Sequence, residues 1–298
     1  MTMKVSELEP LTVNTSRRRK VRGTEPHTKN PATYIILVVA VIFVLIPVFW
    51  MISTALKPET DLFTTPPRLW PDSPNLDAFI RVFTDYPFLD YFRNSLLTVV
   101  TSTLISLIFS ALAGYGASRF NFRGKGSFLT FLLISQMFPS VMLVIPYFKI
   151  IQAAGLYNTQ AALIITYVSF TIPFCSWMMY GYFKSIPREL DEAAAIDGCS
   201  RLRTFLTVVL PLSLPGIVAT GIYAFITGWN EYLFALILTS SEDQKTVPIG
   251  IGQLIGQYKI EWNDLMAASI YAVIAVMIVF IFLQRYLISS LTAGAVKS

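Results

Sequence analysis

Six long, largely apolar stretches, at about 34–56, 95–118, 128–151, 161–183, 212–238 and 266–287, constrain this 298-residue chain more than any other feature. A hydrocarbon core about 30 Å thick is crossed by about 20 helical residues rising ~1.5 Å each, so every stretch is long enough to span a bilayer. Unpaired backbone groups are too costly in lipid, which leaves helices or closed barrels, and unalternating runs of this length read as helices. Only 14% of the residues are charged, against about 25% in soluble domains, which is too little polar surface to clothe a water-soluble fold. The expected fold class is an all-α polytopic membrane protein with six transmembrane helices.

Lysine and arginine are retained preferentially on the cytoplasmic side during insertion. With the N-terminus inside, the inner segments hold sixteen of the 23 basic residues and the outer segments seven. Arg119, Arg123 and Lys125 lie in one tight inner loop without an acid, whereas the first outer loop carries six acids against four bases. Both termini are therefore expected in the cytoplasm, and the net charge of +5 reads as membrane orientation rather than nucleic-acid binding.

Residues 1–30, with Arg17, Arg18, Arg19 and Lys20, are expected to form a disordered basic cytoplasmic tail, because they carry too few apolar groups to offset the entropy of ordering. A cleaved signal peptide fits less well, since its apolar region is about 7 to 15 residues. Residues 31–93 would hold the first span and a proline-rich outer loop, 94–287 the transmembrane core with an inner loop at 184–211, and 288–298 a cytoplasmic tail. The aromatic stretch of the first outer loop, Phe79 to Phe92, could contact a partner but reads more readily as an interfacial anchor on the membrane surface. Pro139, Pro146 and Pro173 fall inside spans, where they bend helices and can form pivots.

Catalytic motifs are missing. Gly124-Lys125-Gly126 lacks the loop and the hydroxyl of a phosphate cradle, and Gly250, Gly252 and Gly256 are misspaced for a dinucleotide fingerprint, so they read as loop flexibility or close backbone approach. One histidine, His27, and two distant cysteines, Cys175 and Cys199, make neither a zinc set nor a disulfide. No metal or cofactor is expected on this chain.

One acid sits well inside a span, Glu231 in Trp229-Asn230-Glu231-Tyr232. A carboxylate at mid-bilayer costs several kcal/mol, so it should face protein or water. Trp229, Asn230 and Glu231 could line a solute pathway or gate, or Glu231 could tie helices together by hydrogen bonds near the outer interface. Tyr147, Phe170, Trp177, Tyr223 and Trp229 could stack on a ring-shaped solute, though aromatics at helical spacing in a membrane protein are more often packing or interface residues.

The polar segment from Ser185 to Gly198 carries helix punctuation: Ser185 as a cap, Pro187 in the first turn, Glu189, Asp191 and Glu192 at the positive end of the dipole, and Gly198 as a stop. Leu190, Ala193, Ala194 and Asp197 then share one face on which small side chains permit close approach. Arg201 and Arg203 begin a second segment running to Pro211, so two helices are expected to meet at Gly198.

Glu192-Ala193-Ala194, three residues, Gly198, nine residues, Val208, one residue and Leu210-Pro211 together resemble the signature loop of permease subunits of ATP-binding-cassette importers, with valine in place of isoleucine. Gln136-Met137-Phe138-Pro139, Gly155 to Thr159, Trp229-Asn230-Glu231 and the terminal Leu291 to Lys297 are similar to the second permease of the maltose-type carbohydrate importers. The resemblance runs from about Ile35 to the end of the chain. It implies the type I importer permease fold in a bacterial inner or plasma membrane, surrounded by lipid. It further implies a homologous second permease, a separate ATPase dimer holding ATP and magnesium, and an extracytoplasmic sugar-binding protein. Glu192, Ala193, Ala194, Asp197 and Gly198 would form the coupling helix seated in the ATPase, and Leu291, Thr292, Ala293, Gly294 and Lys297 a tail reaching the ATPase interface. The loop at 239–265 would match the one that enters the binding protein's sugar cleft. An ion-coupled secondary transporter and a non-transporting scaffold are the rival readings; the first usually shows internal repeats and intramembrane ionisable pairs, and neither is evident here.

Overall fold

The structure, a computed structural model, describes residues 31–295 and the side chains through residue 286. The tail expected at 1–30 lies outside the described residues. Among the described residues all regular structure is helical, apart from one isolated antiparallel bridge between Ile255 and Ile260.

Two units are distinguished, the first ending at Pro47 and the second beginning at Val48. Both draw on α1 (Pro31–Leu56), whose first part is apolar on every side and exposes Ile36, Phe43 and Val44. A helix apolar all round belongs in lipid or a large core.

The second unit is organised on α3 (Phe88–Arg119) and α6 (Gln160–Ser185), which pack along their lengths. α3 is inverted relative to a helix in a water-soluble protein. Its buried stripe is Ser95, Thr98, Ser102, Ser106, Ser110 and Gly114, whereas Leu97, Leu104, Ile108 and Phe109 are exposed. Small residues four apart let helices approach closely where lipid supplies no hydrophobic drive, and their hydroxyls bond across the seam. Ser106 Oγ and Thr171 Oγ1 are 2.7 Å apart there. α6 starts where Thr159 Oγ1 accepts the Ala162 N–H, and Pro173 lies within it without ending it.

Four single helices are long and apolar enough to cross a membrane: α1, α3, α6 and the Trp262–Tyr286 part of α13 (Trp262–Ala295). Two further candidates are bent pairs. α4 (Lys125–Ser135) and α5 (Ser140–Ala153) meet at 100°, so the continuous span expected at 128–151 is broken. Pro139 lacks an N–H and adopts ψ 127°, while Gln136 Nε2 donates to the Phe170 carbonyl and holds the corner. Pro146, by contrast, remains inside α5.

The run expected at 212–238 is also divided. Arg201–Leu212, made of α8 (Arg201–Thr204), a π turn (Phe205–Val209) and α9 (Leu210–Leu212), meets α10 (Leu214–Trp229) at 77°. Prolines 211 and 215 deny two N–H groups to a continuous helix, and the Ser213 hydroxyl donates back to the Val209 carbonyl. Residues 233–238 belong to a separate short helix, α11 (Leu233–Leu238).

Between the spans, α2 (Asp77–Thr84) packs on α13 through buried Ala78 and Val82, and α12 (Val247–Gln253) packs on α3. The remaining short helix, α7 (Glu189–Ile196), lies between α6 and α8.

Candidate functional site

α7 forms where the acids of its first turn, Glu189, Asp191 and Glu192, meet the positive end of the helix. Ser185 is not its cap. That residue ends α6 and its hydroxyl donates back to the Tyr182 carbonyl, leaving Arg188 at the cap position, where its side chain caps no N–H of the helix. Gly198 stops the helix as expected, at φ 79°, a left-handed conformation that L side chains resist. Its N–H donates to the Ala195 carbonyl and that of Cys199 to Ala194. The Ser200 hydroxyl then accepts the Arg203 N–H and opens α8, so two helices meet at Gly198.

The expected small-residue face divides in two. Ala194 is buried on the side where α7 packs on α8 and the π turn, whereas Leu190, Ala193, Asp197 and Gly198 are exposed. Glu189, Glu192, Ala193 and Ile196, spaced at i, i+3, i+4 and i+7, form the outward face. Ile196 is 87% exposed. Sequence reasoning missed this residue because an isoleucine in a short helix is ordinarily assigned to the interior.

α7 is fastened to the last turn of α3. Asp191 Oδ2 lies 3.0 Å from Arg119 Nε, and the Tyr115 hydroxyl donates to Asp191 Oδ1 at 3.2 Å. Arg119 Nη1 donates to the Phe183 carbonyl of α6, and Arg188 Nη2 donates to the Ser118 carbonyl of α3. Arg119 is almost fully enclosed, its side chain 7% exposed. Beneath it lies a small core of Tyr115, Met179, Phe183, Phe205 and Val209. A cavity of about 370 Å³ opens beside the ion pair, between Phe120, Glu192, Cys199 and Arg201.

Trp229, Asn230 and Glu231 lie together, remote from α7 in the fold's contacts. Trp229 ends α10, buried and stacked on Phe225. Asn230 caps α10 and donates to the Ile226 carbonyl. Glu231 Oε1 accepts the Phe234 N–H and opens α11, while its backbone carbonyl is 3.5 Å from the Tyr167 hydroxyl of α6. A 620 Å³ cavity beside Trp229 and Asn230 is also lined by Tyr232 and Pro248. Of the aromatics, Tyr147 and Phe170 pack on Phe234, Phe174 on Tyr223, and Trp177 on Tyr180.

Leu291, Thr292, Ala293 and Gly294 continue the backbone of α13, which stays helical to Ala295 instead of ending near residue 287. Lys297 lies outside the described residues. Among the described residues no group of His, Cys, Asp and Glu could hold a metal ion.

Asn158 was also missed. At φ 61° in the turn before α6, it accepts N–H bonds from Ser240 and Ser241 through Oδ1, and its own N–H donates to the Leu238 carbonyl. It thereby clasps the end of α11. The only sequence signal was its place in the Gly155 to Thr159 segment.

Residues 106–292, more than half of the chain, match the family described as binding-protein-dependent transport system inner membrane component. The inner membrane ABC transporter permease protein YcjP of Escherichia coli (strain K12) is 37% identical over 263 residues, covering 88% of this chain and 94% of that protein. The trehalose/maltose transport system permease protein MalG of Thermococcus litoralis is 38% identical over 259 residues, covering 86% and 92%. In fold, the chain is similar to a chain of a bacterial ABC transporter involved in the import of the acidic polysaccharide alginate, with a TM-score of 0.73 at 23% identity over 86% of this chain and 95% of that one. With its spaced E-A-A loop set between α6 and α10, the chain belongs to the family of inner membrane components of binding-protein-dependent transport systems.

Proposed function

We propose that this chain is the transmembrane permease subunit of an ATP-driven sugar importer, with six spans, counting each bent pair as one, and both termini in the cytoplasm of a bacterial cell. The observation that carries this reading is the E-A-A loop itself: a short helix at Glu192-Ala193-Ala194 that exposes Ile196 and ends in a left-handed Gly198. An exposed isoleucine on an acidic helix beside a membrane bundle suits a partner protein. The sugar assignment is supported by the names of relatives, which include permeases for trehalose/maltose and for diacetylchitobiose.

ATP and magnesium bind a separate ATPase dimer, and no step of hydrolysis falls on this chain. Closure of that dimer moves α7, and a homologous second permease completes the pathway. An extracytoplasmic sugar-binding protein delivers the substrate at the other side. Such a device works only if the ATPase makes different contacts in the two states, so α7 has to transmit a real coupling free energy. The tail from Leu291 to Lys297 adds a second ATPase contact, and Trp229, Asn230 and Glu231 border the pathway at the α10 to α11 break.

Affinity purification of the chain from its native membrane in mild detergent, followed by mass spectrometry, tests this. Recovery of a Walker-motif ATPase and a second permease is the expected result. Recovery of the chain alone, under conditions that keep a known importer intact, would overturn it in favour of a self-sufficient secondary transporter.

A further inference from the structure

We infer that Arg119 and Asp191 form the joint through which movement of α7 is delivered to α3, and along α3 to the loop at 239–261. This rests on the reading of α7 as the ATPase-docking helix. The covalent chain alone would pass any displacement of α7 to α6 and α8, its neighbours in sequence. The side chains add a route to α3. The Arg119 guanidinium touches three elements at once: it belongs to α3, pairs with Asp191 of α7 at 3.0 Å, and donates to the Phe183 carbonyl of α6 at 3.1 Å. Arg188 and Tyr115 add one bond each between α3 and the α7 segment.

Enclosed ion pairs contribute little net stability, because desolvation offsets attraction. Arg119 Nε and Asp191 Oδ2 meet as charges without hydrogen-bond alignment, so direction comes from the Tyr115 hydroxyl, which donates to Asp191 Oδ1, and at 7% and 21% side-chain exposure the pair is largely screened from water. Such a contact fixes how one helix sits on another. α3 then runs unbroken for 32 residues, ~48 Å at ~1.5 Å per residue. At its far end Asn94 Nδ2 donates to the carbonyls of Asp243 and Lys245, and Ser95 Oγ accepts the Val247 N–H. Residues on one rod therefore grip α7 at one end and the 239–261 loop at the other. Arg119 and Asp191 are positioning residues in this scheme, since neither needs to touch nucleotide or sugar.

The test uses the assembled complex in lipid nanodiscs and reads backbone hydrogen exchange across 239–261 with and without MgATP plus vanadate. Wild type is expected to change its exchange in that loop on trapping. Arg119→Ala and Asp191→Asn should retain the ATPase yet lose the response about tenfold, within the ~5–150-fold range of allosteric couplings. Arg119→Lys should restore part of it, which a loss of fold would not allow. Tyr115→Phe, which removes one oxygen from the cluster, should weaken the response several-fold and decides the matter if Arg119→Ala does not accumulate. An undiminished loop response in the variants would overturn the joint. Loss of the ATPase from all of them would also overturn it, since the residues would then build the dock. A wild-type chain that purifies without an ATPase would instead defeat the reading of α7 on which the joint rests.

Discussion

At the Phe88 end of α3, the loop at 239–261 is bonded to the spans at many points. Asn94, Ser95 and Thr98 of α3, Gln160 of α6 and Asn158 before it all hold it or its neighbours, and Arg81 of α2 grips Asp264 in a two-pronged pair with contacts from 2.6 Å. At the Arg119 end, α7 hangs from α3 by the Arg119–Asp191 pair and two neighbouring bonds, and turns Ile196 to the exterior. The first end is closed by many bonds within the chain, although Tyr258 and Ile255 of the loop stay exposed. The second is held at few points, and the difference marks α7 as the more loosely fastened of the two.

The comparison breaks first at Gly198. Among the described residues, no atom beyond Gly198 and its two chain neighbours lies within 4 Å of where a Cβ would stand there, so the added volume is tolerated and only the backbone at φ 79° objects. Gly198→Ala is expected to cost the strain alone, about 1–3 kcal/mol. Gly198→Asp adds a charge that a docked partner has to accommodate. Uptake is expected to fall ~100-fold in Gly198→Asp, toward the upper end of typical allosteric couplings, with normal membrane insertion. Wild-type uptake by that variant would remove α7 from the mechanism.

At the closed end the expected damage is to stability. Asp264 has a 4% exposed side chain and relies on Arg81 and the Tyr86 hydroxyl. The hydrogen bond from Arg81 to Asp264 raises the guanidinium's affinity for its proton, against the opposing effect of burial. Arg81→Ala leaves a buried carboxylate with one neutral partner. Removal of one member of a buried pair costs about 3–5 kcal/mol; with Arg81 a third exposed, about 2 kcal/mol is expected. Thermal unfolding of the purified chain measures it, while ATPase recovery should be unchanged. The reverse pattern would invert the assignment of the two ends.

Ile196→Ala should do the opposite at smaller scale. Because Ile196 is exposed in the chain alone, its truncation changes stability by no more than ~0.5 kcal/mol. Loss of its burial in a partner is worth about 1.5 kcal/mol, roughly tenfold in affinity for the ATPase. Equal ATPase binding by wild type and variant would show that the outward face lies elsewhere on α7.

Long apolar helices were legible because runs of about twenty apolar residues have few alternatives in lipid, and α7 was legible because dipole charges and a stop glycine are local signals, although its expected cap, Ser185, belongs to α6. The breaks were not. Pro139, Pro146 and Pro173 look alike in an apolar run, yet only the first falls at a break, at the N-cap of α5, where Gln136 reaches the Phe170 carbonyl across the corner. Nor could spacing choose between Ala193 and Ala194, because the outward side of α7 is set by contacts with Phe205–Val209 and by Arg119, 72 residues before Asp191. Gly250 likewise reads as loop or close approach until Tyr91, from another span, is seen against it.

Acidification provides the gentlest probe of the closed end. Glu242 Oε2 accepts a hydrogen bond from the Tyr91 hydroxyl, and Oε1 accepts others from Lys245 Nζ and Gln253 Nε2. Partial burial pushes the carboxyl's pKa up, but these bonds and the lysine charge outweigh it and hold the group below the ordinary carboxylate value. A carboxyl lowered in the folded state stabilises the fold at neutral pH, and that contribution fades as pH falls through the lowered value. Hydrogen exchange in 239–261, corrected for its intrinsic pH dependence, should therefore quicken slightly in that acid window while α7 is unaffected. Glu242 is largely exposed, so salt should shrink the effect. Glu242→Gln should abolish the pH dependence, because it keeps the shape and removes the titrating proton. Persistence of the acid response in that variant would assign it to another group and leave the Tyr91 clasp neutral in the stability of this end.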